Sequence, residues 1–221
     1  MVEVIKKYFP SLTQKQIEQF EKAMKLYPEW NEKINVISRK DIDNLEINHF
    51  LHSLAIARFL NFTSCSKVLD FGAGGGIPSI PLAIFFPDVK FHLIDRVGKK
   101  LKVAKAISDE LNLENVSIQH GDISECKDTF DFVVARGVMP LPDLVKLSRK
   151  NISQNQKNAL PNGLIALKGG DLSEELSKCK YPYEIEDIKQ WFPEESVFLT
   201  LRKLFMSLLR SKTDGNNKNN F

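Results

Sequence analysis

The stretch from Leu69 to Pro78, LDFGAGGGIP, restricts the possible folds more than any other part of this chain. An apolar, strand-like run, KVLDFG, leads directly into Gly72, Ala73, Gly74, Gly75 and Gly76. Glycine loses more conformational freedom on folding than any other residue, so a cluster of glycines marks backbone that has to stay bare. A phosphate, a dinucleotide or another cofactor would each require that. A phosphate loop carries Lys and Ser/Thr after its glycines, and Ile77 and Pro78 stand there instead. A dinucleotide fingerprint, G-x-G-x-x-G, would need glycine at 77. The spacing present, Gly72, Gly74 and Gly76, is G-x-G-x-G, which a tight strand-to-helix turn also explains.

The segments that follow alternate in type. KFHLID, VSIQHGD, FDFVVARG and GLIALKGG read as strands. IPSIPLAIFFP, GKKLKVAKAISDELN and LPDLVKLSRKNI read as helices. Strands alternating with helices predict parallel pairing through right-handed crossovers. EIEDIKQW and SVFLTLRK add an antiparallel hairpin at the sheet edge. Upstream, Thr13 and Gln16 have capping-box spacing, with Ile17, Phe20, Met24 and Tyr27 at helical intervals. Pro28 predicts a break before WNEKINVISRKD, and LEINHFLHSLAIARFL predicts a second helix. The expected architecture is an α/β fold: a central, mostly parallel seven-stranded sheet, helices on both faces and an N-terminal helical cap. Residues 1–62 form the cap and 63–210 the core. Residues 211–221 form a disordered tail, because KTDGNNKNNF is too polar to pack.

Ligands of open parallel sheets sit beyond the carboxyl ends of the strands, where three acids follow one another. Asp70 closes the first strand. Asp95 closes the second, about twenty residues after the glycines, where an acid meets ribose hydroxyls. Asp122 closes the third, placed to accept from an adenine amine. Each singly reads equally well as a strand-end turn residue. Together with the glycine loop they describe a nucleoside held without a phosphate clamp. Arg136 ends the fourth strand, and its fork suits either a cofactor carboxylate or an RNA phosphate. Lys168, ending the fifth, reads as a phosphate contact or a solvated strand-end lysine.

VLDFGAGGG, LID, HGD and FDFVVARG resemble the successive motifs of class I S-adenosylmethionine-dependent methyltransferases, whose core is Rossmann-like. More narrowly, WNEKINVISRKD, GGGIPSIPLAI, LIDRVGKKLKV, VVARGV and LIALKGG resemble the glucose-inhibited division protein B family of small-subunit rRNA (guanine-N7)-methyltransferases, over roughly Trp30 to Gly170. The resemblance implies methyl transfer from S-adenosyl-L-methionine to N7 of a guanine in 16S rRNA, on naked RNA or the small ribosomal subunit particle. It also implies cofactor contacts at Gly72, Gly74, Gly76, Ile77, Asp95, Asp122, Ile123, Ser124 and Arg136. Asn35, with Ser38 and Arg39, matches a stretch near the active-site mouth, and an N-cap reading of Ser38 competes with that. Asn35 and Lys168 are the residues expected near the acceptor. One departure is His52 in HFLHS, where the family commonly reads His-x-x-Asp-Ser. His49 and His52 suggest a metal only weakly, with no third ligand nearby in sequence, and no metal is expected.

Guanine N7 carries a free lone pair at neutral pH, so its methylation needs no general base. The segment after the fourth strand, ARGVMPL, matches this: it lacks the Asn/Asp-Pro-Pro-aromatic tetrapeptide of amino-methylating enzymes. Arg96, Lys99 and Lys100 open a basic helix, and with Arg39 they are the expected RNA-phosphate contacts. A net charge of +3 permits such a partner. The odd, scattered Cys65, Cys126 and Cys179 predict reduced thiols in the cytoplasm. No window predicts a membrane span, and a monomer is expected. A small-molecule methyltransferase and a non-catalytic, ribosome-associated cofactor-binding protein are the alternatives.

Overall fold

The computed structural model describes residues 2–195 and 202–208. Three helical segments come first: α1 (Glu3–Tyr8), α2 (Gln14–Lys33) and α3 (His52–Phe59), the last continuing a π-helical turn at Glu46–Leu51. The core then runs β1 (Lys67–Phe71), α4 (Ser79–Phe85), β2 (Lys90–Asp95), α5 (Gly98–Glu110), β3 (Val116–His120) and β4 (Phe132–Arg136). It ends with α6 (Leu141–Ser148), β5 (Gly163–Gly169), α7 (Ser173–Ser177), β6 (Glu184–Asp187) and β7 (Arg202–Leu208).

The seven strands form one sheet in the order β3-β2-β1-β4-β5-β7-β6. Strands β1 to β5 pair in parallel, and β7 lies antiparallel between β5 and β6. Strand order reverses between β1 and β4, so the carboxyl ends of these two diverge and leave a crevice. The period of two along a strand separates two apolar layers. In β4, Phe132 and Val134 join the layer under α4, α5 and the cap, while Val133 and Ala135 join the layer under α6. Val2, Ile5, Phe20 and Tyr27 belong to the same buried cluster as Val68 and Phe132, so the cap shares its core with the sheet.

The capping box at Thr13 and Gln16 forms as its spacing predicts. Side chains along α2 then cover helix ends of the core, whose last carbonyls lack intrahelical partners. Gln16 Nε2 donates to the carbonyls of Ile84 and Phe85 at 3.0 Å each, and Gln19 Nε2 donates to that of Leu111 at 2.8 Å. Pro28 does not break this helix, which runs through it to Lys33. An interior proline costs about 3 kcal/mol. Full burial of Phe20 and Tyr27 on the docked face returns about 1.5–3 kcal/mol each.

The edge hairpin forms between β6 and β7, and Arg202 and Lys203 of the segment SVFLTLRK belong to β7. Positions 196–201 of that segment, and the 211–221 tail, lie outside the described residues. Helix α1 has no counterpart in the sequence reading. It is held from a distance: Glu46 Oε1 accepts from the N–H groups of Val4 and Ile5 at 2.8 and 3.0 Å. All three cysteines are free.

Candidate active site

Two adjoining clefts open at the strand-order reversal. The first, of about 330 Å³, is lined by the glycine loop from Gly72 to Gly75 with Ile77, by Asp95 and Lys100, by Arg136 to Val138, and by Tyr27, Val36, Ile37 and His49 of the cap. The second, of about 310 Å³, lies over β2 and β3 and includes Ile94, Arg96, Gly121, Asp122, Ile123, Met139 and Leu147. Gly72, Asp95, Val97 and Val138 line both, so the two form one trough.

Protein occupies most of the space that the glycines leave. A Cβ on Gly72 would stand 2.7 Å from Val138, one on Gly75 2.7 Å from Val36, and one on Gly76 2.6 Å from Ile80. Gly74 alone is open, its nearest neighbour being Lys100 at 3.8 Å, and its φ of +54° is one that side chains rarely adopt. Gly76 lines neither cleft and serves packing. Four of the loop N–H groups are also spent internally. Gly72 and Ala73 donate to the Ile94 carbonyl, Gly76 donates to that of Ala73, and Gly74 donates to Asp95 Oδ2 at 2.8 Å. These bonds leave no nest of free amides for a phosphate. Tyr27, fully buried, donates its hydroxyl to the Gly75 carbonyl at 3.0 Å and holds the loop from the cap side.

Asp95 holds the trough together. Its Oδ2 takes the Gly74 N–H and its Oδ1 takes the Val97 N–H at 2.7 Å. A carboxylate has about four acceptor positions, so two stay available to a diol. Asp122 is more heavily engaged: Oδ1 accepts from Ser124 N, Glu125 returns a bond to its backbone, and Oδ2 pairs with Arg96. Hydrogen bonds from Ser124 and Arg96 hold its carboxyl down at about 2. Arg96 therefore leans over the second cleft, Ile123 is buried in its lining, and Ser124 lines neither cleft.

The cap grips Arg136. Its guanidinium donates to the Asn48 carbonyl at 3.4 Å and to His49 Nδ1. Arginine only donates, so His49 Nδ1 is unprotonated and the ring proton sits on Nε2. Burial and the neighbouring Arg136 charge keep His49 neutral, lowering it to about 3. Burial and Arg202 lower Arg136 to about 10, still protonated at neutral pH. His52 is fully buried, and burial holds it well below the usual histidine range. Among the described residues, no group of three or more His, Cys, Asp or Glu could hold a metal ion.

Asp70 lies fully buried beneath the loop, where its Oδ2 accepts from Ser79 N at 3.3 Å. Burial raises it to about 7 from an ordinary 3.8. Between these values the folded state holds a proton that the unfolded state has lost, so stability falls as pH rises from about 4 to 7 and is level above. Over pH 5 to 8 the loss from this group is roughly 3 kcal/mol at 1.36 kcal/mol per unit. Asp70→Asn keeps the acceptor for Ser79 and removes the titration. Urea unfolding at the two pH values is expected to show a steeper loss for the unsubstituted protein; parallel losses would contradict the assignment.

Other expected residues lie apart from the trough. Asn35, Arg39 and Lys99 are exposed and line neither cleft. Ser38 caps no helix; its hydroxyl donates to Asp41 at 3.0 Å. Lys100, expected to contact RNA, stands beside Gly74 inside the first cleft. Lys168 lines neither cleft and is paired with Glu175. The sequence reading missed Val36, Ile37, His49 and Val138 as cleft residues. It also missed Asn31, whose side chain accepts from the N–H groups of Val36 and Ile37 and donates to the Ile37 carbonyl. Asn31 stands inside the quoted WNEKINV, and that was its only signal.

Comparison with known proteins agrees with this geometry. The model of the GidB family, described as rRNA small subunit methyltransferase G, matches residues 16–197. Proteins named ribosomal RNA small subunit methyltransferase G are similar over nearly the whole chain. The one from Bacteroides fragilis strain YCH46 is 52% identical over 94% of this chain and 92% of its own. That of Phocaeicola vulgatus is 52% identical over 94% and 99%, and that of Porphyromonas gingivalis 51% identical over 93% of each. Among solved structures, a putative S-adenosyl-L-methionine-dependent methyltransferase from Methanococcus maripaludis superposes with a TM-score of 0.53 at 14% identity, covering 79% of this chain and 93% of its own. YcgJ from Bacillus subtilis gives 0.52 at 16%, covering 72% and 99%. At such identities the likeness is one of fold.

Proposed function

The chain belongs to the GidB family, the rRNA small subunit methyltransferases G, and from that membership we propose that it methylates N7 of a guanine in 16S rRNA using S-adenosyl-L-methionine. The observation that carries the cofactor reading is the trough itself, with Asp95 at its centre, an apolar cleft with Asp122 on one side and Arg136 on the other.

The residues fit each part of the cofactor. Ile123 and Leu147 offer apolar surface to adenine, and Asp122 offers an acceptor to its amine. Asp95 accepts from the ribose hydroxyls on the positions its backbone partners leave open. Arg136 presents its remaining N–H groups to the methionyl carboxylate, held in place by His49 and the Asn48 carbonyl. When bound, the cofactor supplies a methyl on a sulfonium, open to in-line displacement. A guanine N7 would take that methyl with its own lone pair as the S–CH3 bond breaks and S-adenosylhomocysteine leaves, so the chain's contribution would be alignment and exclusion of water rather than proton removal. Neutral His49 and the internally bonded Tyr27 suit that role.

The exposed Arg39, Lys99 and Arg96 are the charges proposed to meet the RNA. These charges recognise phosphate, and selectivity comes from one guanine splayed into the first cleft. Because Lys100 stands inside the cofactor cleft, the informative charge reversal is Arg39→Glu with Lys99→Glu. RNA affinity is expected to fall about tenfold or more at low salt with a shallower salt slope, and S-adenosylhomocysteine affinity is expected to stay unchanged. Filter binding and calorimetry read the two; unchanged RNA affinity would remove these charges from RNA binding.

We propose that it acts as a monomer, on rRNA in the cytoplasm. Among the described residues no helix is long and apolar enough to cross a membrane. Radiolabelled methyl transfer to small-subunit particles and naked 16S rRNA from a deletion strain tests the whole reading. Label on guanine N7 is expected. Cofactor binding without any label would instead indicate a non-catalytic protein.

A further inference from the structure

We infer that Glu175 is a positioning residue for methyl transfer, acting with Lys168 to hold the segment from Gly137 to Leu141 against the cofactor trough. Glu175 Oε2 accepts from the backbone N–H of Leu141 at 2.7 Å and from Lys168 Nζ at 2.9 Å. Lys168 Nζ also donates to the Met139 carbonyl at 3.1 Å. One carboxylate and one ammonium thus bind the segment at Met139 and at Leu141, its C-terminal half.

That segment needs an outside anchor. Helix α6 begins at Leu141 behind Pro140, which makes no side-chain cap. An uncapped helix start leaves N–H groups without partners. Glu175 reaches across from α7 to supply the cap and places negative charge at the helix N-terminus. Lys168 is largely buried and Glu175 partly so, which makes the pair less screened than one on the open surface.

What the segment carries is the roof of the site. Gly137 and Val138 line the first cleft, and Val138 and Met139 the second. The Val138 methyls stand where a Cβ on Gly72 would be. A shift of this segment would move the wall over the glycine loop and the span between Arg136 and the acceptor side. Lys168, expected from sequence to touch the substrate, is thereby reassigned to holding the wall that the substrate meets.

The inference rests on the methyltransferase reading, and its first readout, calorimetric binding of S-adenosylhomocysteine, does not depend on the acceptor. If Glu175→Ala leaves the segment in its competent position about a tenth of the time, apparent Kd rises about tenfold. Saturating cofactor repopulates the competent position, so the similar loss is expected in kcat/KM for the cofactor on rRNA, with kcat largely recovered. Glu175→Gln, which still accepts from Leu141 N and Lys168, is expected to stay within about threefold of the unsubstituted protein. Lys168→Met should lose less than Glu175→Ala, and the double variant should lose no more than Glu175→Ala alone, since the two act as one unit. Melting curves establish folding, and if Glu175→Ala does not fold, Lys168→Met and Glu175→Gln carry the test. Folded Glu175→Ala with unaltered Kd and kcat/KM, or Glu175→Gln as impaired as the alanine, would overturn the assignment. Normal binding effects with no methylation by the unsubstituted protein would count against the function and leave Glu175 standing.

Discussion

Arg136→Met is expected to weaken S-adenosylhomocysteine binding about a hundredfold while hardly changing the affinity for 5′-methylthioadenosine, which lacks the amino-acid end. The guanidinium is nearly enclosed, and the cap uses it at two points, the Asn48 carbonyl and His49 Nδ1. Its remaining N–H groups line a cleft where most glycine-loop amides are already bonded, and its planar fork matches a carboxylate in a way that Lys100, the other cation there, does not. Hydrogen bonds to charged groups contribute about 1.5–3 kcal/mol each, and two of them lost is about a hundredfold or more. Arg136→Lys keeps the charge but not the fork, and about tenfold is the expected loss. Calorimetry with the two ligands makes the comparison. Equal losses for both would mean that the arginine holds the fold rather than the carboxylate.

Asp95→Asn is expected to lower cofactor affinity nearly as much as Asp95→Ala, by about a hundredfold, with RNA affinity less affected. The usual expectation for an isosteric amide is a mild effect. Here each carboxylate oxygen accepts a backbone N–H, from Gly74 and from Val97. An asparagine turns one oxygen into an NH₂ group and sets a donor against a donor, costing about 1–3 kcal/mol for the unmet bond. It also removes an acceptor from the ribose. Because the space beside Gly74 is open, freeing its N–H disturbs the part of the loop proposed to meet the cofactor. A mild asparagine with a severe alanine would mean that Asp95 serves the loop through one oxygen only; equal loss of RNA and cofactor binding would remove the ribose assignment.

Much of the frame was legible in the chain. Alternating segments predicted the parallel sheet because strand and helix periods differ, and glycines after the first strand located the ligand end. Asp95, which ends β2, and Asp122, which lies two residues beyond the end of β3 and caps the turn at Ile123–Glu125, both line the trough. The reading went astray where distant contacts outweighed local preference. Pro28 breaks an isolated helix, yet docking of Phe20 and Tyr27 carries α2 through it. Lys100 reads in the sequence as an RNA-phosphate contact on a basic helix, yet α5 starts beside the loop and brings it into the cleft.

The glycines illustrate the division best. Their presence after β1 established that something must approach the main chain closely, since a bare backbone is a local property written in residue type. What approaches was a matter for the tertiary structure: Val36 from the cap, Val138 from the β4 end and Ile80 from α4 fill three of the four positions, and the one at Gly74 stays open. The same holds for His49, Asn31 and Glu175, whose partners lie on other elements. Hydrogen-bond partners and close packing depend on which elements meet in space, and sequence spacing alone does not encode that.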